Sequence, residues 1–476
     1  MYLSTCSFTP KLKREISSVS YSRLDLVYKA TQIKDMVATR EINGDSCERI
    51  FDDLIEDLSL VSPDQIDDSS LKKDGQQILN LMFVARAELH SALGIFPSEC
   101  KLKLKKLFRE MRKVEDYVGV IFYNDPQISA DSIIFEKEPI PVINKDSYHP
   151  YHLGRNLNPS SKFEFKNGDI LITKGVSFVS STISSITTPA SVYSHIVFVH
   201  VDKISKAVTT MESYVGRGVS IYPIDEALKN ENARILVLRA KDQKLASEAA
   251  DYMFNKIEDL KKKNKFIPYD YELNFEDNSK LSCEEVAYDS FKTKSGGSFV
   301  IPELMSSVKL NDEKFLDRIG LKKGNMMTPA DMETDSRFEI ALDWTDYRIM
   351  RDSWRKDVVT AAMFNWINEY NYRIHEDVKS IAARVIWSTR YIPGVWSMMS
   401  KISGIPKDYT KDVPGKTIAT MASLKGIGSI LLSEVKSADE QYHAITGMWM
   451  TEQMLKESLN KYREKNPEKL HKLFSP

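Results

Sequence analysis

The chain has 476 residues, more than one ordinary core holds, and is expected to divide into two or three domains. With 42% hydrophobic and 28% charged residues, long disorder is excluded as the main state, and a net charge of −1 supplies no global field for nucleic acid. Cys6, Cys47, Cys100 and Cys283 lie far apart with no CxxC pair, which fits a reducing compartment and argues against a disulfide framework or a zinc ribbon.

The N-terminus lacks a basic stretch followed by an apolar one, so no general secretory signal is expected. A cytoplasmic location follows as the expectation, with export by a specialised system left open. No run of 18 or more uncharged apolar residues is present, so no ordinary transmembrane helix is expected. Residues 1–124 read as a helical region, because Ile50, Leu54 and Leu58, then Ile78, Leu81, Met82 and Ala85, recur at helical spacing. Within it, the basic run from Lys101 to Lys113 is expected to be a solvated helix face. Prolines 126, 139, 141, 150 and 159 make residues 125–162 a linker or extended segment.

Residues 163–305 change texture. Short strands are predicted at Asp169–Thr173, Ile196–Val201, Ala207–Met211, Gly218–Tyr222 and Arg234–Arg239, with an amphipathic helix over Leu245–Lys262. The Ser/Thr-rich segment from Ser177 to Thr188 is predicted as a short helix with Phe178, Val179, Ile183 and Ile186 inward. From residue 306 to 476 the chain turns helical again. Ile381–Met399 and Ile418–Leu432 read as buried core helices, with membrane or lipid contact as the minor alternative.

One residue concentrates the chemistry. In Leu281-Ser282-Cys283-Glu284-Glu285, Ser282 and Glu285 have the spacing of a capping box, so Cys283 is expected at a helix start. There the dipole and the unpaired N–H groups favour a thiolate nucleophile. Such a nucleophile needs a base and a group that orients the base. If Val201 pairs with Lys206 across the Asp202-Lys203 turn, His195 faces Glu212 on the neighbouring strand. His200 has the opposite side-chain parity and reads as structural. Tyr269 and Tyr271 are both candidates to stabilise an oxyanion, beside the Cys283 N–H. His375, His443 and His471 show no ligand spacing, so no metal is expected, and the chemistry needs no organic cofactor.

The ordered set Gly168-Asp169-Ile170-Leu171, Ser194-His195-Ile196, Met211-Glu212, Gly218-Val219, Tyr269-Asp270 and Ser282-Cys283-Glu284-Glu285 resembles the YiiX/YebB-like branch of the NlpC-type papain-like cysteine hydrolases. The resemblance covers about residues 163–301. It implies an α+β fold: a circularly permuted papain-like domain with an antiparallel sheet, flanked by N- and C-terminal helical regions. It also implies a thiol hydrolase or acyltransferase acting on an amide, ester or thioester, with Cys283 as nucleophile, His195 as base and Glu212 orienting it. The tyrosine near the nucleophile would be Tyr269 or Tyr271. The family usually carries Cys-Ser-Glu-Leu/Phe at the nucleophile. Here Glu284 follows the cysteine, and its charge would raise the thiol pKa. The expected partner is a substrate with a peptide or lipid acyl bond and not nucleic acid; peripheral membrane contact stays open. Two other readings stand beside this one: a catalytically degenerate ligand-binding domain, and a helical interaction or effector protein whose flanks carry the function.

Overall fold

The computed structural model describes residues 23–39, 42, 44, 46–59, 68–123, 151–154, 163–229, 232–308, 310–374, 378–403, 405–471 and 474–475. Helices α1 (Arg23–Ala38), α2 (Cys47–Ser59), α3 (Asp68–Ser91) and α4 (Ser98–Tyr123) form the N-terminal layer. Their periodic apolar residues drive this, since Ile50, Phe51 and Leu54 of α2 share a core with Leu104, Leu107 and Phe108 of α4. Each such side chain taken out of water contributes roughly 1.5–3 kcal/mol.

The chain continues through β1 (Tyr151–Leu153), β2 (Ile170–Gly175), α5 (Phe178–Ser185), β3 (Thr187–Thr188), β4 (His195–Val201), β5 (Val208–Tyr214), β6 (Gly218–Pro223), α6 (Ile224–Lys229), β7 (Asn232–Ala240), α7 (Gln243–Lys262) and α8 (Cys283–Lys294). Then come β8 (Ser306–Val308), α9 (Glu313–Ile319), β9 (Gly324–Met326), α10 (Pro329–Glu333), β10 (Phe338–Thr345), α11 (Tyr347–Tyr370) and β11 (Arg373–Ile374). The last elements are α12 (Val378–Ser388), α13 (Pro393–Ser403), α14 (Gly415–Thr446), α15 (Glu452–Lys465), α16 (Pro467–His471) and β12 (Phe474–Ser475).

The fold is α+β. Its centre is a seven-stranded antiparallel sheet in the order β1-β10-β7-β2-β4-β5-β6. Strand alternation sends Ile172, Ile196, Phe198, Met211 and Leu236 to a face shared with α7 and α8, where Ala249, Met253, Val286 and Phe291 meet them. Leu171, Val197, Val199, Ile235 and Val237 line the opposite face with Phe163 and Trp344.

Several expectations need correction. The sheet is not enclosed by residues 163–305: β1 falls in the predicted linker and β10 in the predicted C-terminal helical region. β10 was legible, since Phe338, Ile340, Leu342 and Trp344 alternate with Glu339, Asp343 and Thr345; in the structure nearly the whole strand is buried, Asp343 included. The basic run of α4 is not a solvated face. Lys105 and Arg112 are buried, and they pair with Asp331 at 2.6 Å and with Asp343 at 3.0 Å. Those carboxylates lie more than two hundred residues away along the chain. Helix α5 forms, with Ser177 capping it by accepting from the Ser180 N–H. Yet its most buried residues are Ser181, Thr182 and Ser184, while Phe178, Val179 and Ile183 are half-buried. The Ser184 hydroxyl turns inward because it accepts from the buried ammonium of Lys174 at 3.0 Å. Cys47 and Cys100 are joined in a disulfide, with their Cα atoms 6.0 Å apart, because α2 packs along α4. The reading of a chain without disulfides, and the compartment inferred from it, loses that support. Cys6 lies outside the described residues.

α14 is long and apolar enough to cross a membrane, but half of its most apolar stretch is buried inside the protein.

Candidate active site

Cys283 is the first residue of α8, as the capping box predicts. The Glu285 carboxylate accepts from the Ser282 N–H at 2.7 Å. The approach to this helix is pinned to the β5–β6 hairpin: Ser213 Oγ donates to the Leu281 carbonyl at 2.5 Å, and the Val219 N–H donates to the Ile267 carbonyl at 2.9 Å. Gly218, at φ +74°, permits this contact, because a Cβ there would lie 2.4 Å from the Ile267 oxygen.

The histidine and the glutamate come together. His195 Nε2 lies 3.0 Å from Glu212 Oε2. The register that brings them there differs from the predicted one by two residues. Val201 pairs with Val208 and Phe198 with Met211, and continuing the ladder sets His195 opposite Tyr214. A wider turn causes the shift: Asp202 accepts from the N–H groups of Ile204 and Ser205, and Lys206 takes a left-handed conformation at φ 60°. A slip of two preserves side-chain parity, so Glu212 stays on the face of His195 and reaches it diagonally. His200 turns to the other face, stacks on Phe254 at 3.9 Å and lies 3.5 Å from Asp251, a structural role.

Two residues that the sequence did not single out complete this cluster. Thr210 Oγ1 donates to Glu212 Oε1 at 2.6 Å, and Tyr214 Oη donates to Oε2 at 2.5 Å. The Tyr214 ring also stacks on the His195 imidazole, with centroids 4.7 Å apart. Both sit two residues from Glu212 on the same strand face, so period-two alternation was the signal for them. Burial of Glu212 alone would raise its pKa. The hydrogen bonds from His195, Thr210 and Tyr214, with the histidine's charge, hold it below the usual carboxylate range. An ionised Glu212 accepts from Nε2–H, so whenever the ring is uncharged the lone pair sits on Nδ1.

Cys283 is buried and free. Its sulfur donates to Glu284 Oε2 at 3.1 Å. Burial pushes the thiol well above its ordinary value, and the Glu284 charge and hydrogen bond push it further. The backbone N–H groups of Ile196 and Glu284 act on the sulfur in the opposite sense and are outweighed. In this state the group is a thiol. The expectation that the helix start holds a thiolate is overturned, because dehydration and an adjacent carboxylate exceed the ~0.3–1 kcal/mol typical of a helix dipole. No hydrogen bond joins the sulfur to the His195 ring among the described residues. What links the two is backbone: the N–H of Ile196, the residue after His195, acts on the sulfur, while alternation along β4 points the His195 side chain to the face away from α8.

The two tyrosines differ in their surroundings, although their rings pack together with centroids 4.9 Å apart. Tyr269 is pushed well above its ordinary pKa by burial and then by the charges of Cys283 and Glu284. The Tyr271 hydroxyl instead accepts from the Gly216 N–H at 3.1 Å, and its ring packs with Trp387 and Tyr409. Asp270 between them accepts from the N–H groups of Glu272 and Asn274 and shapes their loop.

A cavity of about 300 Å³ lies elsewhere, between β2, α5 and α11, lined by Lys174, Arg234, Trp354, Asp357 and Glu452 among others. None of Cys283, His195, Glu212 or Tyr269 lines it. No protein-family model and no curated protein matches this chain, so the chemistry is argued from these residues.

Proposed function

We propose that the chain is a thiol hydrolase or acyltransferase of permuted papain-like type, cleaving an amide, ester or thioester. One observation carries the proposal: a single backbone step, His195–Ile196, bears an imidazole oriented by an ionised carboxylate and, through the Ile196 N–H, acts on the sulfur of a cysteine at a helix start. The histidine strand precedes the cysteine helix in the chain, which is the permuted order.

The resting thiol is held by Glu284, and alternation along β4 points His195 to the face opposite α8, so reaction begins when a substrate displaces that carboxylate, the His195 ring swings round the strand end, and Nδ1 takes the proton from sulfur. The thiolate attacks the carbonyl carbon. The oxyanion accepts from the Cys283 N–H and the Tyr269 hydroxyl. His195 then gives its proton to the leaving amine, alkoxide or thiolate, and a thioester of Cys283 remains. Water or another acceptor, deprotonated by the same imidazole, releases the acyl group and restores the thiol.

The Glu284 contact favours a second reading, in which the cleft binds a ligand without turning it over. A thiol-directed acylating probe separates the two. The hydrolase reading expects labelling of the wild type that vanishes in Cys283→Ala and falls at least tenfold in His195→Ala. Equal labelling of wild type and His195→Ala, or none above background, leaves the binding reading.

A further inference from the structure

The C-terminal helices carry a surface that the candidate chemistry does not use. Of the large apolar side chains exposed to solvent, Ile381 and Val385 lie one turn apart on α12, and Met398 and Ile402 lie one turn apart on α13. Tyr391 and Ile392 are exposed on the short link between those helices. Val385 is 61% exposed and Ile402 70% exposed. The opposite sides of the same helices are buried around Trp387, Trp396 and Ile418, so the elements are folded and their outer stripes are uncovered.

The charge of this region is also unlike the rest. The whole chain carries −1, yet residues 378–403, which are α12, α13 and their link, hold four Lys or Arg and no Asp or Glu. An apolar stripe set among cations matches the chemistry of an anionic lipid surface, where apolar side chains enter the acyl boundary and lysines meet headgroups. A protein partner would need an acidic and apolar surface of its own.

We propose that α12, α13 and their link dock this protein on an anionic membrane. The loop that follows α13 abuts the candidate active site, on the buried side of these helices where Tyr409 packs with Trp387. The Thr410 N–H donates to the Gly216 carbonyl at 2.6 Å, Arg217 pairs with Asp408 at 2.6 Å, and the Tyr409 ring lies against Gly216, in the turn that follows Tyr214. Docking therefore holds the His195–Glu212 cluster behind the α12–α13 layer that meets the bilayer. If the hydrolase reading above holds, the substrate class is a membrane-borne acyl compound. The docking itself does not depend on that reading.

The test is co-sedimentation of the full chain with vesicles of phosphatidylcholine containing phosphatidylserine, and with phosphatidylcholine alone. Binding is expected only to the anionic vesicles and is expected to be lost near 1 M salt, where charges are screened beyond about 3 Å. Val385→Asp with Ile402→Asp should weaken binding at least tenfold, and Lys401→Gln about fivefold. These are exposed positions, and circular dichroism matching the wild type establishes that the variants fold. Cys283→Ala should bind as the wild type does. If the wild type binds the vesicles but cleaves no acyl compound, the hydrolase reading fails and docking stands. The docking proposal is overturned if wild type ignores anionic vesicles or if the double variant binds them unchanged. It is also overturned if the double variant converts a dimer to a monomer with no vesicle binding in either, which would make the stripe a contact between copies of the chain.

Discussion

Burial first, and Glu284 next, set the state in which Cys283 rests. The pair sits in a buried pocket where neither group meets water freely, and the carboxylate accepts the thiol proton's hydrogen bond. Removing that charge while keeping an amide of the same shape should bring the thiol pKa down. Glu284→Gln is therefore expected to speed alkylation of Cys283 at neutral pH, by about tenfold for each unit the pKa falls. Alkylation rates followed against pH check this, and an unchanged midpoint would sink the idea that Glu284 restrains the thiol. The helix start was legible from Ser282 and Glu285, and so was the adverse residue at 284. The depth of burial was not, because it depends on the loop around Tyr269 folding over the helix.

Among the elements, α8 is capped by a group with an unusual ionisation. Glu285 is buried near Asp270 and Glu284, and burial first, then those charges, push its pKa up to about 8 from an ordinary 4.5. Between those values the folded protein keeps a proton that the unfolded chain has lost. Stability from this group is thus highest below pH 4.5 and falls as pH rises towards 8. Glu285→Gln retains a carbonyl for the Ser282 N–H and removes the titration. Urea unfolding of the two proteins should show the variant gaining on the wild type between pH 5 and 8, by on the order of 3 kcal/mol. Parallel curves would refute it. At this scale the sequence also predicted β4 and β5 as a hairpin. It erred by two residues because the Asp202 turn uses side-chain hydrogen bonds that widen the loop.

Across the whole molecule, a buried ionic cluster joins the N-terminal helices to the sheet. Arg86 of α3 pairs with Glu115 of α4 at 2.9 Å and with Asp343 of β10 at 2.8 Å. Arg112 of α4 pairs with the same Asp343, at 3.0 Å, and with Glu333 of α10. Gly119 reinforces the junction, since a Cβ there would lie 2.3 Å from the Tyr347 ring. Arg112→Met fits the space but leaves Glu333 and Asp343 short of a partner. It is expected to destabilise by about 3–5 kcal/mol, read as a lower urea midpoint. A variant as stable as the wild type would show that Arg86 alone neutralises both carboxylates. The same junction is why domain boundaries drawn from composition do not enclose the sheet.

The sequence by itself determined the local facts: the cap before Cys283, the strand parity of His195 and Glu212, and the amphipathic stripes of the helices. These depend on spacings of two to four residues, which the chain carries wherever it goes. Only the tertiary structure decided the protonation of the thiol, the different surroundings of Tyr269 and Tyr271, the disulfide, and the burial of Lys105 and Arg112. Each of these depends on a partner or a covering segment brought near by packing. In a dehydrated interior, that neighbour outweighs what the residue prefers alone.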